Sequence, residues 1–140
     1  MQVKDKVFVV TKVQPENLAP HLLTRSVKDS IGKLRLSEID LLLLHWPNKS
    51  VPLKETIDAL VGAKRDGLVR NIGVSNYTVA LIEEASRLSG DRIVCNQVEY
   101  HPYLDQSKVI AACRARDIAV VAYSPIAKGS AKSDALLSRI

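Results

Sequence analysis

The sequence repeats one pattern about five times: a short apolar run, rich in β-branched residues, ends in polar residues and is followed by a segment with helical spacing. Short, nearly continuous apolar runs are typical of strands that are covered on both faces. The pattern therefore predicts a sheet buried between other layers. The predicted strands are Val7–Val10, Ile39–Leu44, Asn71–Val74, Ile93–Val98 and Ile118–Ala122.

Between these runs, apolar residues recur three and four positions apart, as they do on one face of an amphipathic helix. Gly67 and Gly90 stand where glycine commonly ends a helix, and Ser133 is a suitable cap for a last helix. The predicted helices are Leu18–Lys33, Leu53–Gly67, Tyr77–Ser89, Ser107–Arg116 and Asp134–Ile140.

Strands that alternate with helices in this way predict an α/β fold with a parallel sheet and right-handed crossovers. The polar residues that end the runs lie between 24 and 33 residues apart, which is about one strand–helix unit. No glycine-rich G-x-G-x-x-G motif follows any run, which argues against a doubly wound dinucleotide-binding sheet. We therefore expect a barrel, folded as a single domain over residues 1–140.

Charge and hydropathy narrow the classes of function. The net charge is +5, but the basic residues are scattered among acidic ones. Such a surface suits a phosphorylated small molecule, whereas nucleic acid would call for a clustered basic footprint, so we expect no nucleic-acid partner. No apolar run approaches the roughly 18 residues that span a bilayer, and the N-terminus lacks the pattern of a signal peptide. We expect no membrane association and a cytoplasmic location.

The two cysteines give no sign of a disulfide or a metal site. Cys95 and Cys113 lie in apolar surroundings, and their spacing fits no zinc or redox motif. We therefore expect two reduced, buried thiols and no bound metal.

In a parallel barrel, reactive groups lie at the carboxyl ends of the strands. His45 follows the leucine run of Ile39–Leu44, and Pro47 ends the strand because it has no N–H to offer. The imidazole is either a neutral structural group or a hydrogen-bond donor to a substrate oxygen. The polar residues that end the five predicted strands are Lys12, His45, Ser75, Glu99 and Tyr123.

The other strand ends also allow two interpretations each. Lys12 is either solvated or a cation that lowers the pKa of a nearby acid. Ser75 and Asn76 either cap the next helix or, together with Gln97, orient an amide-bearing ligand. Tyr123 is either a core aromatic or a ring face on which a ligand stacks.

Four segments, "LLLLHWP", "IGVSN", "NQVEYHPY" and "AYSP", in this order and spacing resemble the aldo-keto reductases. The resemblance runs from Val7 to the end of the chain. It implies a parallel (β/α)8 TIM barrel, of which this chain holds a partial barrel of about five strands, the third to the seventh. The "VTK" opening and the "AKGSA" tail are most similar to small bacterial members such as the diketogluconate reductases.

The family reduces carbonyl groups by hydride transfer from NADPH, so the resemblance implies that cofactor and a small-molecule carbonyl substrate. By motif, Lys12 resembles the lysine that lowers the pKa of the family's catalytic tyrosine, and His45 resembles the histidine that orients the carbonyl. Trp46 matches a position near the substrate pocket. The cofactor-binding residues implied by the resemblance are Ser75, Asn76 and Gln97 for the nicotinamide carboxamide, Tyr123 for stacking on the nicotinamide, and Ser124 with the backbone of Ile126–Gly129 for the pyrophosphate.

The resemblance also implies that parts of the family's site are absent. The proton-donating tyrosine and its aspartate partner precede Val7 in the family's order, and the clamp for the adenosine 2′-phosphate follows the seventh strand. The 140 residues compare with about 250 in a complete barrel. We therefore expect a truncated reductase with little activity alone, and open strand edges that allow self-association.

Two other hypotheses remain at this stage. The chain could be a non-catalytic, reductase-like module that binds a nicotinamide nucleotide or a partner chain without turnover. An unrelated barrel enzyme, such as a phosphate-binding isomerase, would leave the combination of motifs unexplained.

Overall fold

Five parallel strands form one sheet, in the order in which they occur in the sequence. The computed structural model describes residues 7–90 and 92–139. Each strand pairs in parallel with the next one along the chain, so that the first and last strands form the two edges. The strands are β1 (Val10–Val13), β2 (Ile39–Leu44), β3 (Val69–Ser75), β4 (Ile93–Glu99) and β5 (Ala119–Tyr123).

Four α-helices connect consecutive strands. They are α1 (Pro20–Leu34), α2 (Leu53–Arg65), α3 (Val79–Ser89) and α4 (Ser107–Arg114), and short 3-10 helices cover Pro15–Asn17, Ala127–Ser133 and Leu137–Arg139. The Thr78 side chain caps α3 by accepting the N–H of Leu81, and Gly90 ends the same helix in the left-handed conformation. Within the described residues, no helix has both the length and the apolar composition needed to cross a membrane.

The main core lies between the sheet and the helices. Leu42 and Leu44 of β2 belong to it, whereas Leu41 and Leu43 join Cys95 in a separate cluster. Since side chains alternate between the two faces of a strand, the two clusters lie on opposite faces of the sheet. Helices packed against one face of a sheet in sequential strand order form the wall of a barrel, because a doubly wound sheet carries helices on both faces. The predicted partial TIM barrel is confirmed.

The cluster of Leu41, Leu43 and Cys95 can pack together because β3 carries a glycine, Gly73, beside it. A Cβ on Gly73 of β3 would lie 2.6 Å from Leu43 Cδ2 and 2.8 Å from the carbonyl oxygen of Cys95. Only a residue without a side chain leaves room for Leu43 and Cys95 to approach across β3.

Two predictions are wrong, the bounds of the first strand and the existence of the last helix. β1 begins at Val10, three residues after the predicted start, because the N–H of Val9 bonds to the Asp40 carboxylate and Val10 is the first residue in register with β2. The predicted helix Asp134–Ile140 is wrong, and Ile140 lies outside the described residues. The Asp134 carboxylate accepts the N–H groups of Leu136 and Leu137, but only the 3-10 helix Leu137–Arg139 follows. A helix this short needs packing to be stable, and Leu136 is 71% exposed.

Candidate active site at the carboxyl rim of the sheet

The carboxyl ends of β2 to β5 bring most of the predicted site residues to one rim. Ser75 ends β3 and is in register with Gln97 of β4. Tyr123 ends β5 and is in register with Glu99. His45 directly follows β2, and its N–H donates to the carbonyl of Val13 at the end of β1. Parallel strands all deliver their last side chains to the same edge, which is why residues far apart in sequence meet here.

Hydrogen bonds join these residues into a network centred on Asn76. The Asn76 Nδ2 group donates to the His45 carbonyl at 3.0 Å and to Ser75 Oγ at 3.1 Å. The Ser75 hydroxyl donates to the carbonyl of Gln97 at 2.8 Å. The Tyr123 hydroxyl donates to Asn76 Oδ1 at 2.9 Å. Both ends of the Asn76 amide are therefore fixed by neighbours at the rim, so its orientation is set before any ligand arrives.

The Asn76 backbone adopts an unusual conformation, with a φ of 62°. This left-handed region costs most residues about 1–2 kcal/mol, and asparagine tolerates it better than most. The N–H of Asn76 donates to the Gln97 carbonyl at 2.9 Å, so the turn is held by β4 as well as by the side chain. Ser75 and Asn76 therefore do not cap α3, a task that Thr78 performs.

The His45 ring is held by a residue that the sequence analysis did not predict. His45 Nδ1 lies 3.0 Å from Gln14 Oε1, just beyond the end of β1. With this oxygen as its partner, Nδ1 carries the proton, and a neutral ring then has an acceptor at Nε2. In the other neutral tautomer Nε2 carries the proton and can donate, and Nδ1 is an acceptor. The Gln14 amide must then present its NH2 group to Nδ1. Because the predicted first strand ended at Val10, three residues before the observed end of β1, no sequence signal pointed to Gln14.

Lys12 lies within β1 rather than at its end, which corrects the predicted position. Its charge acts on the Cys95 thiol and partly opposes the effect of burial and of Cys113, which together raise the pKa of Cys95 to about 11. Lys12 has no hydrogen bond or ion pair with any described residue and is not part of the Asn76 network. Trp46, next to His45, is 47% exposed.

Glu99 and its surroundings act on Tyr123. Burial, and then the negative charge of Glu99, raise the pKa of the Tyr123 hydroxyl, so this group remains a proton-bearing donor. Glu99 Oε1 lies 3.6 Å from His101 Nε2, and the N–H of Tyr100 donates to the Tyr123 carbonyl. The loop after β4 is thus tied to the end of β5.

The chain after β5 turns sharply. Ser124, Ala127 and Lys128 have φ angles of 51°, 49° and 55°, and Gly129 has a φ of 101°. Ile126, just before Ala127, has a φ of −104° and a ψ of 20°. The turn is closed by its own backbone: the N–H of Ala127 donates to the Ser124 carbonyl at 2.8 Å, and the N–H of Gly129 donates to the Ile126 carbonyl at 2.9 Å.

The comparisons with known proteins cover nearly the whole chain. The profile of the Aldo/keto reductase family matches residues 1–138. This chain belongs to the aldo/keto reductase family. The prediction made from the four rim motifs is therefore confirmed.

Among curated members of the aldo/keto reductase family, the methylglyoxal reductase DkgB of Escherichia coli O157:H7 is 39% identical over 140 residues. The match covers 98% of this chain and 52% of that protein. The glyoxal reductase of Bacillus subtilis (strain 168) is 33% identical, with 98% of this chain and 49% of that protein covered. The chain therefore spans about half the length of the curated aldo/keto reductases that it matches.

A crystal structure of "a putative 2,5-diketo-D-gluconic acid reductase B" superposes with a TM-score of 0.95 at 44% identity, and the match covers 98% of this chain and 49% of that one. An aldo/keto reductase of Klebsiella pneumoniae in complex with NADP and acetate superposes with a TM-score of 0.86 at 28% identity, covering 99% of this chain and 50% of that one. The five-stranded sheet thus corresponds to about half of an aldo/keto reductase barrel.

Proposed function

We propose that this chain forms the nicotinamide-binding part of an NADPH-dependent reductase that acts on small aldehydes and ketones. The observation that carries the proposal is the Asn76 network, which joins His45, Ser75, Gln97 and Tyr123 at one rim. The K. pneumoniae relative binds NADP, and the E. coli relative reduces methylglyoxal, so both functions occur among proteins of this sequence pattern.

The free polar groups of the rim fit a primary carboxamide. Its NH2 group needs an acceptor and its carbonyl needs a donor, and an amide side chain provides both. The Gln97 side chain makes no hydrogen bond with any described residue, whereas the Asn76 amide is already engaged at both ends. We therefore assign carboxamide recognition mainly to Gln97, with Ser75 and Asn76 as the groups that fix its surroundings. Tyr123 would present its ring to the nicotinamide.

The turn after β5 fits the pyrophosphate of the same cofactor. Ser124 begins the turn, which contains no acidic residue from Ser124 to Gly129, and the Ser124 hydroxyl would donate to a phosphate oxygen. The turn follows directly from Tyr123, so the stacking ring and the phosphate-binding backbone are adjacent along the chain. When bound, NADPH would supply the hydride.

His45 and Trp46 would meet the carbonyl substrate. An imidazole that donates a hydrogen bond to a carbonyl oxygen orients and polarises it. The Gln14 contact holds the His45 ring in place, and the proposal requires the Gln14 NH2 group to face Nδ1 so that Nε2 is the donor. The exposed Trp46 provides an apolar wall beside the ring.

Lys12 has no tyrosine partner for proton delivery among the described residues. The Tyr77 hydroxyl is buried, that of Tyr103 bonds to Asp134, and that of Tyr123 bonds to Asn76. Tyr100 lies in the loop after β4. We therefore propose that the family's proton donor and its aspartate partner are not among these 140 residues, and that the chain alone binds NADPH but turns over carbonyls poorly.

We propose two further properties of the chain, self-association and a cytoplasmic location. The edge strands carry exposed apolar residues, among them Val10 on β1 and Val121 on β5, so the isolated chain would self-associate through its edges. Cys95 and Cys113 are both free thiols, which is typical of a reducing compartment and favours a cytoplasmic location.

The test is a titration with NADPH, followed by the fluorescence of Trp46, which is the chain's one tryptophan. We expect saturable quenching. Gln97→Met removes the free amide and keeps the length of the side chain, and should weaken binding by about two- to twelvefold, the equivalent of one hydrogen bond. Asn71→Leu is the matched control, because Asn71 lies near the opposite end of β3 and bonds to the Asp40 carbonyl. It should leave the affinity unchanged.

Turnover is measured separately, with methylglyoxal as substrate. Saturable binding without turnover supports the proposal, whereas a rate near that of a complete reductase would contradict the missing proton donor. Absence of binding, or equal losses in both variants, would refute the nicotinamide site itself.

A further inference from the structure

Gln14 and His45 meet between two loops whose backbones are fixed. The His45 N–H donates to the Val13 carbonyl at 2.9 Å, and the His45 carbonyl accepts Asn76 Nδ2 at 3.0 Å. The Gln14 carbonyl accepts the N–H of Asn17 at 2.9 Å, so that Gln14 begins the short 3-10 helix after β1. Because both backbones are held, any adjustment between the two residues takes place in their side chains.

Each of these two side chains has a single hydrogen-bond partner among the described residues, namely the other. His45 Nδ1 lies 3.0 Å from Gln14 Oε1. Neither Nε2 of the ring nor the NH2 group of the amide bonds to a residue that the structure describes. Gln14 is also exposed to solvent. No protein contact in the described structure therefore holds the amide in one of its two orientations.

The orientation of the Gln14 amide decides which nitrogen of a neutral His45 ring carries the proton. The last torsion of a glutamine is broad and roughly two-fold, so the amide reverses at low cost. Reversal exchanges an acceptor oxygen for an NH2 donor at nearly the same position. With Oε1 toward the ring, as in this structure, the proton is on Nδ1 and Nε2 is an acceptor. With the NH2 group toward the ring, Nδ1 accepts and Nε2 becomes a donor.

His101 shows the contrasting case of a ring with fixed partners. Its Nδ1 accepts the backbone N–H of Tyr103 at 3.3 Å, and its Nε2 lies 3.6 Å from Glu99 Oε1. A backbone N–H only donates and a carboxylate only accepts, so a neutral His101 ring has its proton on Nε2. The Gln14 amide imposes no such choice on His45, because it contains both a donor and an acceptor.

We propose that Gln14 is a positioning residue that lets the neutral His45 ring bind both a carbonyl oxygen and the hydroxyl formed from it. This inference rests on the proposed function, in which His45 meets the substrate. A carbonyl oxygen needs a donor, so Nε2 carries the proton and the Gln14 NH2 group faces Nδ1. A hydroxyl can donate to a bare Nε2, with Gln14 Oε1 facing the protonated Nδ1. Between the two states one proton leaves one ring nitrogen for water and another reaches the second nitrogen from water, so the ring stays neutral.

The test is the tautomer of each histidine ring, read from the nitrogen chemical shifts of isotope-labelled imidazoles. The measurement is made at about pH 9, well above the ordinary imidazole pKa of about 6.5, and without cofactor. We expect N,N-dimethylformamide, which accepts but does not donate, to move the His45 proton to Nε2. Trifluoroethanol, a strong donor and poor acceptor, should move it to Nδ1. The His101 shifts should change with neither ligand, which makes this ring the internal reference.

Two variants of Gln14 separate the choice of tautomer from the holding of the ring. Gln14→Glu offers only acceptors, so the proton should stay on Nδ1. Dimethylformamide binding should then weaken by about two- to twelvefold, the equivalent of one hydrogen bond, whereas trifluoroethanol binding is retained. Gln14→Met removes both groups and should weaken the two ligands equally, because the ring is no longer held. Asn17→Asp is the control for the added charge, on the 3-10 helix that Gln14 begins, and should alter neither affinity.

The outcomes separate this inference from the proposed function. Equal weakening of both ligands in Gln14→Glu would overturn the role of Gln14. So would His45 nitrogen shifts that neither ligand changes in the wild-type chain. The NADPH titration is independent of both results. If NADPH fails to bind while the His45 tautomer follows the two ligands as expected, the cofactor site is refuted and the control of His45 by Gln14 is supported.

Discussion

The Tyr123 hydroxyl donates to Asn76 Oδ1 at 2.9 Å, and this contact joins the ends of β5 and β3, which are not neighbours in the sheet. It passes over the end of β4, where the Gln97 carbonyl accepts both the Asn76 N–H and the Ser75 hydroxyl. The rim from β3 to β5 is thus a single connected polar unit. A change in one of its members is expected to disturb the others, which makes the unit accessible to mutation.

Tyrosine-to-phenylalanine changes at two positions should alter stability in opposite directions. Tyr123→Phe loses a hydrogen bond, and the free energy of unfolding should fall by about 0.5–1.5 kcal/mol. Tyr77→Phe removes a buried hydroxyl that has no described partner, and the same quantity should rise by about 1 kcal/mol. Urea denaturation of both variants and wild type measures the two effects. A loss of stability in Tyr77→Phe would show that its hydroxyl has a partner in solution.

Substitution of Asn76 should change stability in two ways, through the lost side-chain hydrogen bonds and through the left-handed backbone conformation. Asn76→Ala loses the three hydrogen bonds of the Asn76 side chain and places an alanine at a φ of 62°. Asn76→Gly loses the same bonds but relieves the strain, so it should be about 1 kcal/mol more stable than Asn76→Ala.

The control for Asn76 is Ala59→Gly in α2, where alanine should be the more stable residue by about 1 kcal/mol. If alanine were also preferred at position 76, the left-handed turn would not persist in solution. Chemical denaturation of the four proteins measures these differences.

The sequence alone predicted the bounds of a strand correctly where that strand is long, apolar and paired on both sides. β2 matches its predicted bounds, Ile39–Leu44, because an apolar run closed by His45 and Pro47 leaves few alternatives. The meeting of Ser75, Gln97 and Tyr123 at one rim followed from parallel topology alone.

Predictions from the sequence were wrong or missing where contacts between residues distant in sequence decide the structure. The start of β1 depends on the Asp40 carboxylate, 31 residues away, which takes the N–H of Val9. The partnership of His45 with Gln14 spans 31 residues and carries no local pattern. The segment after Asp134 has helical spacing, but it is short and its Leu136 is exposed instead of packed against a neighbour, so no α-helix forms. Periodicity indicates which face of a segment could be buried, and it does not show whether another element covers that face.

The buried thiol of Cys95 should make stability fall at alkaline pH. Burial and the neighbouring Cys113 raise the pKa of Cys95 from 9.0 to about 11. Between these values the folded chain holds a proton that the unfolded chain has released, so the free energy of unfolding decreases as pH rises from about 9 to about 11. Below pH 9 this contribution is fully present. Urea denaturation at several pH values measures the slope.

Cys95→Ala should flatten that slope, and the difference from wild type isolates the thiol from the tyrosines that titrate in the same range. Cys113→Ala is the comparison. Burial also raises the pKa of Cys113, so this variant should lose the part of the slope that Cys113 contributes and keep the part that burial of Cys95 contributes. Both thiols should also react slowly with a disulfide reagent at pH 8 in the folded chain and rapidly in urea, since both are buried. A fast reaction of the folded Cys95→Ala variant would contradict the buried position of Cys113.

Gly73 should be the least replaceable of the described glycines. In Gly73→Ala, the new Cβ would meet Leu43 Cδ2 and the Cys95 carbonyl oxygen at 2.6 and 2.8 Å, and the second of these is backbone that can move only with β4. Crowding of this kind typically costs about 1–3 kcal/mol, so the free energy of unfolding should fall by that amount.

Gly62→Ala is the matched control within α2, where nothing lies within 4 Å of the added carbon. It should raise stability by about 0.5–1 kcal/mol, because alanine is the better helix former. Because Gly73 lies on β3 two residues before Ser75 and faces β4, which carries Gln97, a shift of β4 should also alter the amide signals of the rim. Unchanged stability and unchanged rim signals in Gly73→Ala would mean that the sheet is more loosely packed than these distances require.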